Sequence, residues 1–342
     1  MTAPTEAAPQ RRKPLRIILN ILGWVISIGF LVVFWQQLGA QDGWEEVFAN
    51  LNWGYFALAS VILFIGHYGR SQMGYISTLY LGYPITHGQS QRYWSLSQLA
   101  KYLPGGVWLF AAKVVLYNNN GMPLMVASAA TMWELLAILM IGLGFGVLSL
   151  GALSGVEWAG PITLGAVILI SGMLLSLMFW PWRLLQRLHL KGAQRMVDIL
   201  SALGSKRFNL LGYLSISSLV IWVITGIGFY VLLLGLQRPE PISVWYAIVT
   251  YAVSWTIGFL IFVTPAGLGA REAALTLLLT PVYGVETAFS IALLARVWWA
   301  LVEGLHILIA LLWYVIKTDY RSFWPLSTTE TSPAAKPEQH PE

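Results

Sequence analysis

Long apolar stretches separated by short polar ones make up most of this chain. Each stretch is close to the ~20 residues that a helix needs to cross the hydrocarbon core of a bilayer. The first stretch is too long for the core of a signal peptide and is followed by no small-residue cleavage site. The pattern therefore predicts an all-α integral membrane protein. The predicted spans cover residues 15–35, 53–80, 123–150, 160–180, 210–236, 244–263 and 287–316.

Two segments depart from this pattern. Residues 88–118 are less apolar and contain the run KYLPGGVWLFAAK, and residues 264–281 contain TPAGLGAREAALTLLLT. Proline and glycine together break helices, so each segment is predicted to be a re-entrant or broken helical element. Irregular backbone at membrane depth is tolerated only inside protein or beside water. We therefore expect both breaks to face the interior of the bundle.

The number of spans depends on how these two segments run. If both return to the side from which they enter, the chain has seven transmembrane helices and an external carboxyl terminus. Lys317 and Arg321 favour a cytoplasmic carboxyl terminus instead. One broken segment would then cross the membrane fully, which gives eight transmembrane helices. The sequence leaves both counts open.

The charges flanking the spans predict the orientation and the limits of the membrane domain. Residues 1–14 form a basic tail, whereas residues 37–51 contain three carboxylates and no Lys or Arg. Because basic loops stay in the cytoplasm, we expect a multi-pass protein of the plasma membrane with a cytoplasmic amino terminus. The membrane domain covers residues 15–318. Residues 319–342 are rich in Pro, Ser, Thr and Glu, and we expect a disordered tail there.

The most basic part of the chain is residues 182–207. Four cations recur there at four-residue steps, with apolar residues between them, at Arg183, Arg187, Lys191 and Arg195. This pattern predicts a cytoplasmic surface helix that lies on the lipid headgroups. The alternative is an ordinary positive-inside loop with no particular partner.

The composition is typical of a membrane protein, and it also indicates which classes of partner to expect. Hydrophobic residues make up 57% of the chain and charged residues 10%, whereas about 25% of the residues of a soluble domain are charged. The formal charge of +5 suits a surface that faces anionic lipids. No nucleic-acid partner is expected, because the basic residues lie in loops between spans.

The sequence lacks the motifs of conventional enzymes, so we expect no enzymatic activity and no cofactor. The G-x-x-x-x-G-K-[ST] phosphate loop is missing. The three aspartates lie outside the spans, at Asp42, Asp198 and Asp319. The five histidines show no metal-ligand spacing, so no metal is expected. Within the enzyme class, only a metal-independent intramembrane transferase stays open.

A few ionisable residues are predicted to lie at membrane depth. Glu134 is about 17 Å into its span at 1.5 Å per residue, and Arg296 lies at a comparable depth in the last span. Glu303 follows Arg296 by two helical turns on much the same face. Buried charges are costly and commonly face a partner or a wet cavity. Glu134 and Arg296 either form a structural ion pair or line such a cavity, and Arg70 is expected to reach towards the cytoplasmic interface.

The two broken segments also place cations beside helix starts. Lys101 and Lys113 flank the first break, and Arg271 follows the second. A helix that begins inside the membrane presents unpaired N–H groups and a positive dipole end. Discontinuous helices of this kind often form the substrate site of a transporter. The breaks therefore predict one shared anion site, with kinks that only pack together as the alternative.

At these segments the chain resembles the lysylphosphatidylglycerol synthase transmembrane-region family, a flippase-like membrane domain. The resemblance extends from about residue 15 to residue 318. It is carried by Arg70, the run KYLPGGVW at 101–108 followed by Lys113, Glu134, the P-x-G-x-G-x-R-E signature at 265–272, and Arg296. In full-length relatives, this domain moves an aminoacylated phospholipid between leaflets, and a separate soluble domain transfers the aminoacyl group. The resemblance implies only the first of these roles here.

The expected function is binding and translocation of an anionic phospholipid or lipid-linked headgroup. One alternative is a membrane subunit that presents a polyprenyl-linked substrate to a separate glycosyltransferase, and another is the transferase already mentioned. Besides lipids, a separately encoded glycosyltransferase or aminoacyltransferase is the expected partner, since relatives occur beside or fused to such enzymes. The expected substrate-binding residues are Arg70, Lys101, Pro104, Gly105, Gly106, Lys113, Glu134, Pro265, Gly267, Gly269, Arg271, Glu272, Arg296 and Glu303.

Overall fold

The computed structural model describes residues 49–101, 107–153, 206–236, 242–261 and 265–317. These ranges form eight α-helices and one 3-10 turn at Pro265–Gly267, with no strand among them, which confirms the predicted all-α class. The helices are α1 (Trp53–Tyr80), α2 (His87–Ala100), α3 (Trp108–Asn119), α4 (Leu124–Leu153), α5 (Lys206–Leu234), α6 (Val244–Leu260), α7 (Ala270–Tyr283) and α8 (Val285–Lys317).

Three of the described helices are long and apolar enough to cross a bilayer. They contain the apolar stretches Leu124–Gly146, Phe208–Leu234 and Val285–Trp313, and α6 is a shorter apolar helix. The 28-residue α1 is also long enough. The predicted spans at 15–35 and 160–180 lie outside the described residues, as do both tails and nearly all of the basic stretch 182–207.

Polar and apolar residues are distributed as in a membrane protein. Charged side chains such as Arg70 and Glu134 are buried inside the helical bundle. Many large apolar side chains lie instead on its outer face, where Phe208 is 64% exposed and Ile316 is 83% exposed. Such a surface suits lipid, which needs no polar outer layer.

Both broken segments contain helices too short to cross the membrane. Helices α2 and α7 have 14 residues and α3 has 12, which corresponds to roughly 21 Å and 18 Å against a hydrocarbon core of about 30 Å. The start of α2 is fixed by Thr86, whose hydroxyl accepts from the Gln89 N–H at 3.1 Å. Residues 102–106, with the predicted Pro104, Gly105 and Gly106, lie outside the described residues.

Small residues allow the helices to approach closely. A Cβ at Gly66 of α1 would lie 2.7 Å from Thr225 of α5, and one at Gly226 of α5 would lie 2.5 Å from the Ile248 Cα of α6. Helix association in membranes commonly relies on such positions. Helix α8 packs against α1, α2 and α7, and α4 packs against α1, α3, α5 and α6. The short pair α2 and α3 thereby lies between α1, α4 and α8.

Candidate functional site

A cavity of about 140 Å³ is lined by residues of both broken segments. Its wall is built from α1, α2, α3, α4, α6, the turn before α7, the first residues of α7, and α8. A water needs only about 10–15 Å³ of such space, so several waters or a small headgroup fit. The wall is partly aromatic, because Trp94, Trp255 and Trp299 contribute to it.

Cations dominate the charge of this wall. Among the described residues, five basic side chains line the cavity together with a single carboxylate, that of Glu134. Two further carboxylates, Glu272 and Glu303, form ion pairs with wall cations. The five cations are Arg70, Lys101, Lys113, Arg271 and Arg296.

Glu134 is paired with Lys113 and not with Arg296. Lys113 Nζ donates to Glu134 Oε2, while Oε1 accepts from the hydroxyls of Ser77 at 2.6 Å and Tyr117 at 3.1 Å. Both members of the pair are buried. Of the two alternatives for Glu134 and Arg296, the ion pair between them is therefore wrong, because the half-helix α3 brings a closer cation to α4 than α8 does, and both residues line the cavity instead.

Arg296 instead holds the second break. Its Nε lies 3.6 Å from Glu272 Oε1, and its Nη1 donates to the Ala266 carbonyl at 3.2 Å. The second oxygen of Glu272 accepts from the Gly269 N–H at 2.8 Å, at the start of α7. Arg296 and Glu272 thus stabilise the turn that orients Arg271.

The backbone conformation of the turn explains the glycines of the P-x-G-x-G-x-R-E signature. The φ angles of Ala266, Gly267 and Gly269 are 53°, 69° and 87°, a left-handed region that favours glycine. Gly267 also packs against the backbone of Gly258 in α6, and a Cβ at Gly258 would lie 2.7 Å from the Arg271 Cβ. The turn therefore lies directly against α6, and Arg271 follows at the cavity wall.

Lys101 ties the first break to α8. Its Nζ donates to both carboxylate oxygens of Glu303. One turn further along α8, the His306 Nε2 lies 2.9 Å from the Gln91 Oε1 of α2. The two contacts hold both the first half of α2 and the residue that follows its last turn against α8.

Arg70 does not reach the interface, contrary to the expectation from sequence. The residue is only 6% exposed. Its guanidinium carbon lies 5.1 Å, 4.6 Å and 5.2 Å from the ring centres of Trp222, Trp255 and Trp299. Such cation–π contacts stabilise a desolvated guanidinium. Three helices supply the rings, and this aromatic cage holds Arg70 inside the bundle.

Arg70 and Arg271 are the two wall cations that form no ion pair within the described residues. Arg70 Nε and Nη2 have no hydrogen-bond partner there. Arg271 Nη2 donates to the Tyr251 hydroxyl at 2.5 Å, and its guanidinium carbon lies 4.7 Å from the Trp299 ring centre. Both guanidinium groups thus meet at the same indole ring and line the same cavity.

Sequence comparison assigns the chain to a family. The profile of the family described as the lysylphosphatidylglycerol synthase TM region matches residues 20–302. The chain belongs to this family. Neither a curated protein nor a solved structure matches the chain. The matched range contains every described residue of the cavity wall, so the site belongs to the membrane region of this family.

The structure brings most of the predicted site residues of this family member together. Lys101, Lys113 and Arg271 line one cavity, as the expectation of a shared space required. Their role in substrate binding stays a prediction. Arg70, Glu134, Gly267 and Arg296 also line it, Glu272 and Glu303 pair with wall cations, and Pro265 and Gly269 form the turn.

Several residues of the site were missed in the sequence, although helical spacing points to them. Tyr117 follows Lys113 by four residues, Ser77 follows Arg70 by seven, and Trp299 follows Arg296 by three. Such spacings place each residue on the same helix face as a predicted site residue. Tyr251 has no comparable signal, because α6 carries no charged residue. Among the described residues, no cluster of His, Asp and Glu could hold a metal ion.

Proposed function

We propose that the protein binds an anionic phospholipid or lipid-linked headgroup in this cavity and moves it between leaflets. The observation that carries the proposal is the pair of buried guanidinium groups, Arg70 and Arg271, that lack a carboxylate among the described residues. The other three wall cations each have a carboxylate partner. The described part of the cavity wall is thus positive overall.

An anion would relieve an energetic cost at this site. A charged residue within a membrane helix costs at least about 2.5–3.5 kcal/mol and calls for a partner. Aromatic faces compensate Arg70 in part, but they accept none of the hydrogen bonds that its Nε and Nη2 can donate. Phosphate oxygens accept such bonds in the planar fork geometry of arginine.

The two lysine ion pairs could exchange their carboxylates for the phosphate of a headgroup that moves through the cavity. Lys101 and Lys113 flank the first break, and each holds a carboxylate on a neighbouring spanning helix. A phosphate that reaches either lysine exchanges one acceptor for another, so the ammonium group stays paired throughout. We propose that this exchange accompanies motion of the short helices α2 and α3 relative to α4 and α8.

The proposed role includes no chemical step. A separately encoded glycosyltransferase or aminoacyltransferase would consume the translocated anionic lipid. If the protein only presents a lipid to such a partner, its purified form binds the lipid without exchanging it between leaflets. Binding and exchange therefore need separate measurements.

Loss of either guanidinium that lacks an ion pair is expected to slow the exchange of an anionic lipid strongly. We expect Arg70→Gln and Arg271→Gln to reduce leaflet exchange of acyl-labelled phosphatidylglycerol in phosphatidylcholine proteoliposomes by tenfold or more, since one charged hydrogen-bonding group is worth about 1.5–3 kcal/mol. Arg92→Gln is the matched control, because Arg92 is not part of the cavity wall. Exchange that persists unchanged in both cavity variants would contradict the proposal.

We also propose that the amino terminus is cytoplasmic and that the protein lies in the plasma membrane. The chain has no cysteine, so single substitutions report orientation without background. Asp42→Cys is expected to react with an impermeant maleimide in intact cells, and Gln194→Cys is expected to react only after lysis. The opposite labelling pattern would reverse the orientation.

A further inference from the structure

We infer that the preferred ligand of the cavity is a lipid that ends in a phosphomonoester, which carries close to two negative charges. The inference rests on the proposed function and specifies its substrate class. A phosphomonoester has a charge of about −1.5 to −2 at pH 7 and three acceptor oxygens. A phosphodiester such as phosphatidylglycerol has a single negative charge and two free oxygens.

The charge of the site matches a dianion. Within the described residues, five cations line the wall, and three carboxylates lie in it or pair with it, which leaves two positive charges. The adjoining stretches 102–106 and 262–264 contain no Asp, Glu, Lys or Arg. A monoanion would leave one buried positive charge without a counter-charge, and such a charge is costly.

The geometry matches one ligand group with several oxygens. Arg70 and Arg271 come from different helices but both contact the Trp299 ring, with their guanidinium carbons 5.2 Å and 4.7 Å from its centre. Two guanidinium forks at one phosphate can each bind a different pair of oxygens when three oxygens are free, whereas at a diester both forks must share the same two oxygens. A monoester, with its third free oxygen, therefore fits two guanidinium groups better than a diester does.

The same arrangement disfavours a cationic headgroup. A lysylated headgroup carries ammonium groups, which need carboxylates or open aromatic faces. The three carboxylates are already bonded to Lys101, Lys113 and Arg296. The rings of Trp222, Trp255 and Trp299 are in contact with the Arg70 guanidinium. An ammonium group would also lie close to two unpaired cations.

The inference is tested on the unmodified protein in phosphatidylcholine nanodiscs. Phosphatidic acid, phosphatidylglycerol and lysylphosphatidylglycerol with identical acyl chains compete for binding with fluorescent phosphatidic acid at pH 7.5 and at pH 5. At pH 7.5 we expect phosphatidic acid to bind about tenfold or more tightly than phosphatidylglycerol, and the lysylated lipid to bind most weakly. At pH 5 the advantage should shrink, because the second ionisation of a phosphomonoester has a pKa near 6.

Variants of Arg70 test whether its guanidinium group causes this preference for phosphatidic acid. The Arg70→Gln variant should bind phosphatidic acid and phosphatidylglycerol with similar affinities. The Arg70→Lys variant keeps the charge and should therefore retain part of the preference for phosphatidic acid. Arg92→Gln should behave like the unmodified protein. Inorganic phosphate at equal concentration is expected to compete at least tenfold more weakly, and equal competition would show a site for free phosphate and overturn the lipid assignment.

Failure of this inference differs from failure of the proposed function. If the two anionic lipids bind equally and both bind less to Arg70→Gln, or if the lysylated lipid binds most tightly, the phosphomonoester assignment is wrong. Equal binding of the anionic lipids leaves the anionic-headgroup proposal intact. If neither anionic lipid binds the unmodified protein, or if Arg70→Gln and Arg271→Gln bind both lipids normally, the proposed function itself fails.

Discussion

Replacing Glu134 by glutamine is expected to destabilise the folded protein by about 3–5 kcal/mol, because it leaves the Lys113 ammonium group buried without a counter-charge. Glutamine keeps an oxygen that accepts from the hydroxyls of Ser77 and Tyr117. The loss of stability is therefore due mainly to the missing negative charge. It is measured as a fall in the unfolding temperature of the purified protein in a mild detergent.

The double variant Glu134→Gln, Lys113→Met separates the cost of an unpaired charge from the value of the pair. Methionine fills the volume of the lysine stem without a charge, so most of the lost stability should return. Glu286→Gln is the control, since that carboxylate is exposed at the start of α8 and its loss should have a small effect. A double variant no more stable than Glu134→Gln would argue against the Lys113–Glu134 pair.

The substitution Gly226→Ala is also expected to destabilise the folded protein strongly. Its Cβ would lie 2.5 Å from the Ile248 Cα and 2.8 Å from the Ile248 Cβ, so α5 and α6 would have to separate. Overpacking of this kind costs about 1–3 kcal/mol. The measurement is the same unfolding temperature in detergent.

Gly212→Ala is the matched control on the same helix. A Cβ at Gly212 meets nothing within 4 Å, and alanine is the better helix former by about 0.5–1 kcal/mol. Gly212→Ala should therefore leave the unfolding temperature unchanged or raise it. Equal effects of the two substitutions would mean that α5 and α6 do not pack at Gly226 as described.

The sequence alone determined the helices of the described part of this fold with good accuracy. The predicted span at 53–80 coincides with α1, and those at 123–150 and 287–316 differ from α4 and α8 by at most three residues at either end. Apolar length and Pro–Gly breaks are local properties of the chain, and the bilayer constrains them strongly. The two breaks were therefore also recognisable before any tertiary contact was known.

The positions of the charges along their helices were likewise readable, but their partners were not. The rise of 1.5 Å per residue places Glu134 and Arg296 along their helices, and nothing in that count gives the rotation of one helix relative to another. Only the tertiary structure pairs Glu134 with Lys113, Arg296 with Glu272, and Lys101 with Glu303.

Arg70 shows this division most clearly. The sequence identified a costly cation in a membrane helix, and its position near the helix end favoured an escape towards the interface. The tertiary structure decided otherwise, because tryptophans from α5, α6 and α8 converge on the guanidinium group and hold it beside Arg271. A cage built from three distant segments has no local signal in the chain, since it exists only once those helices have packed against α1.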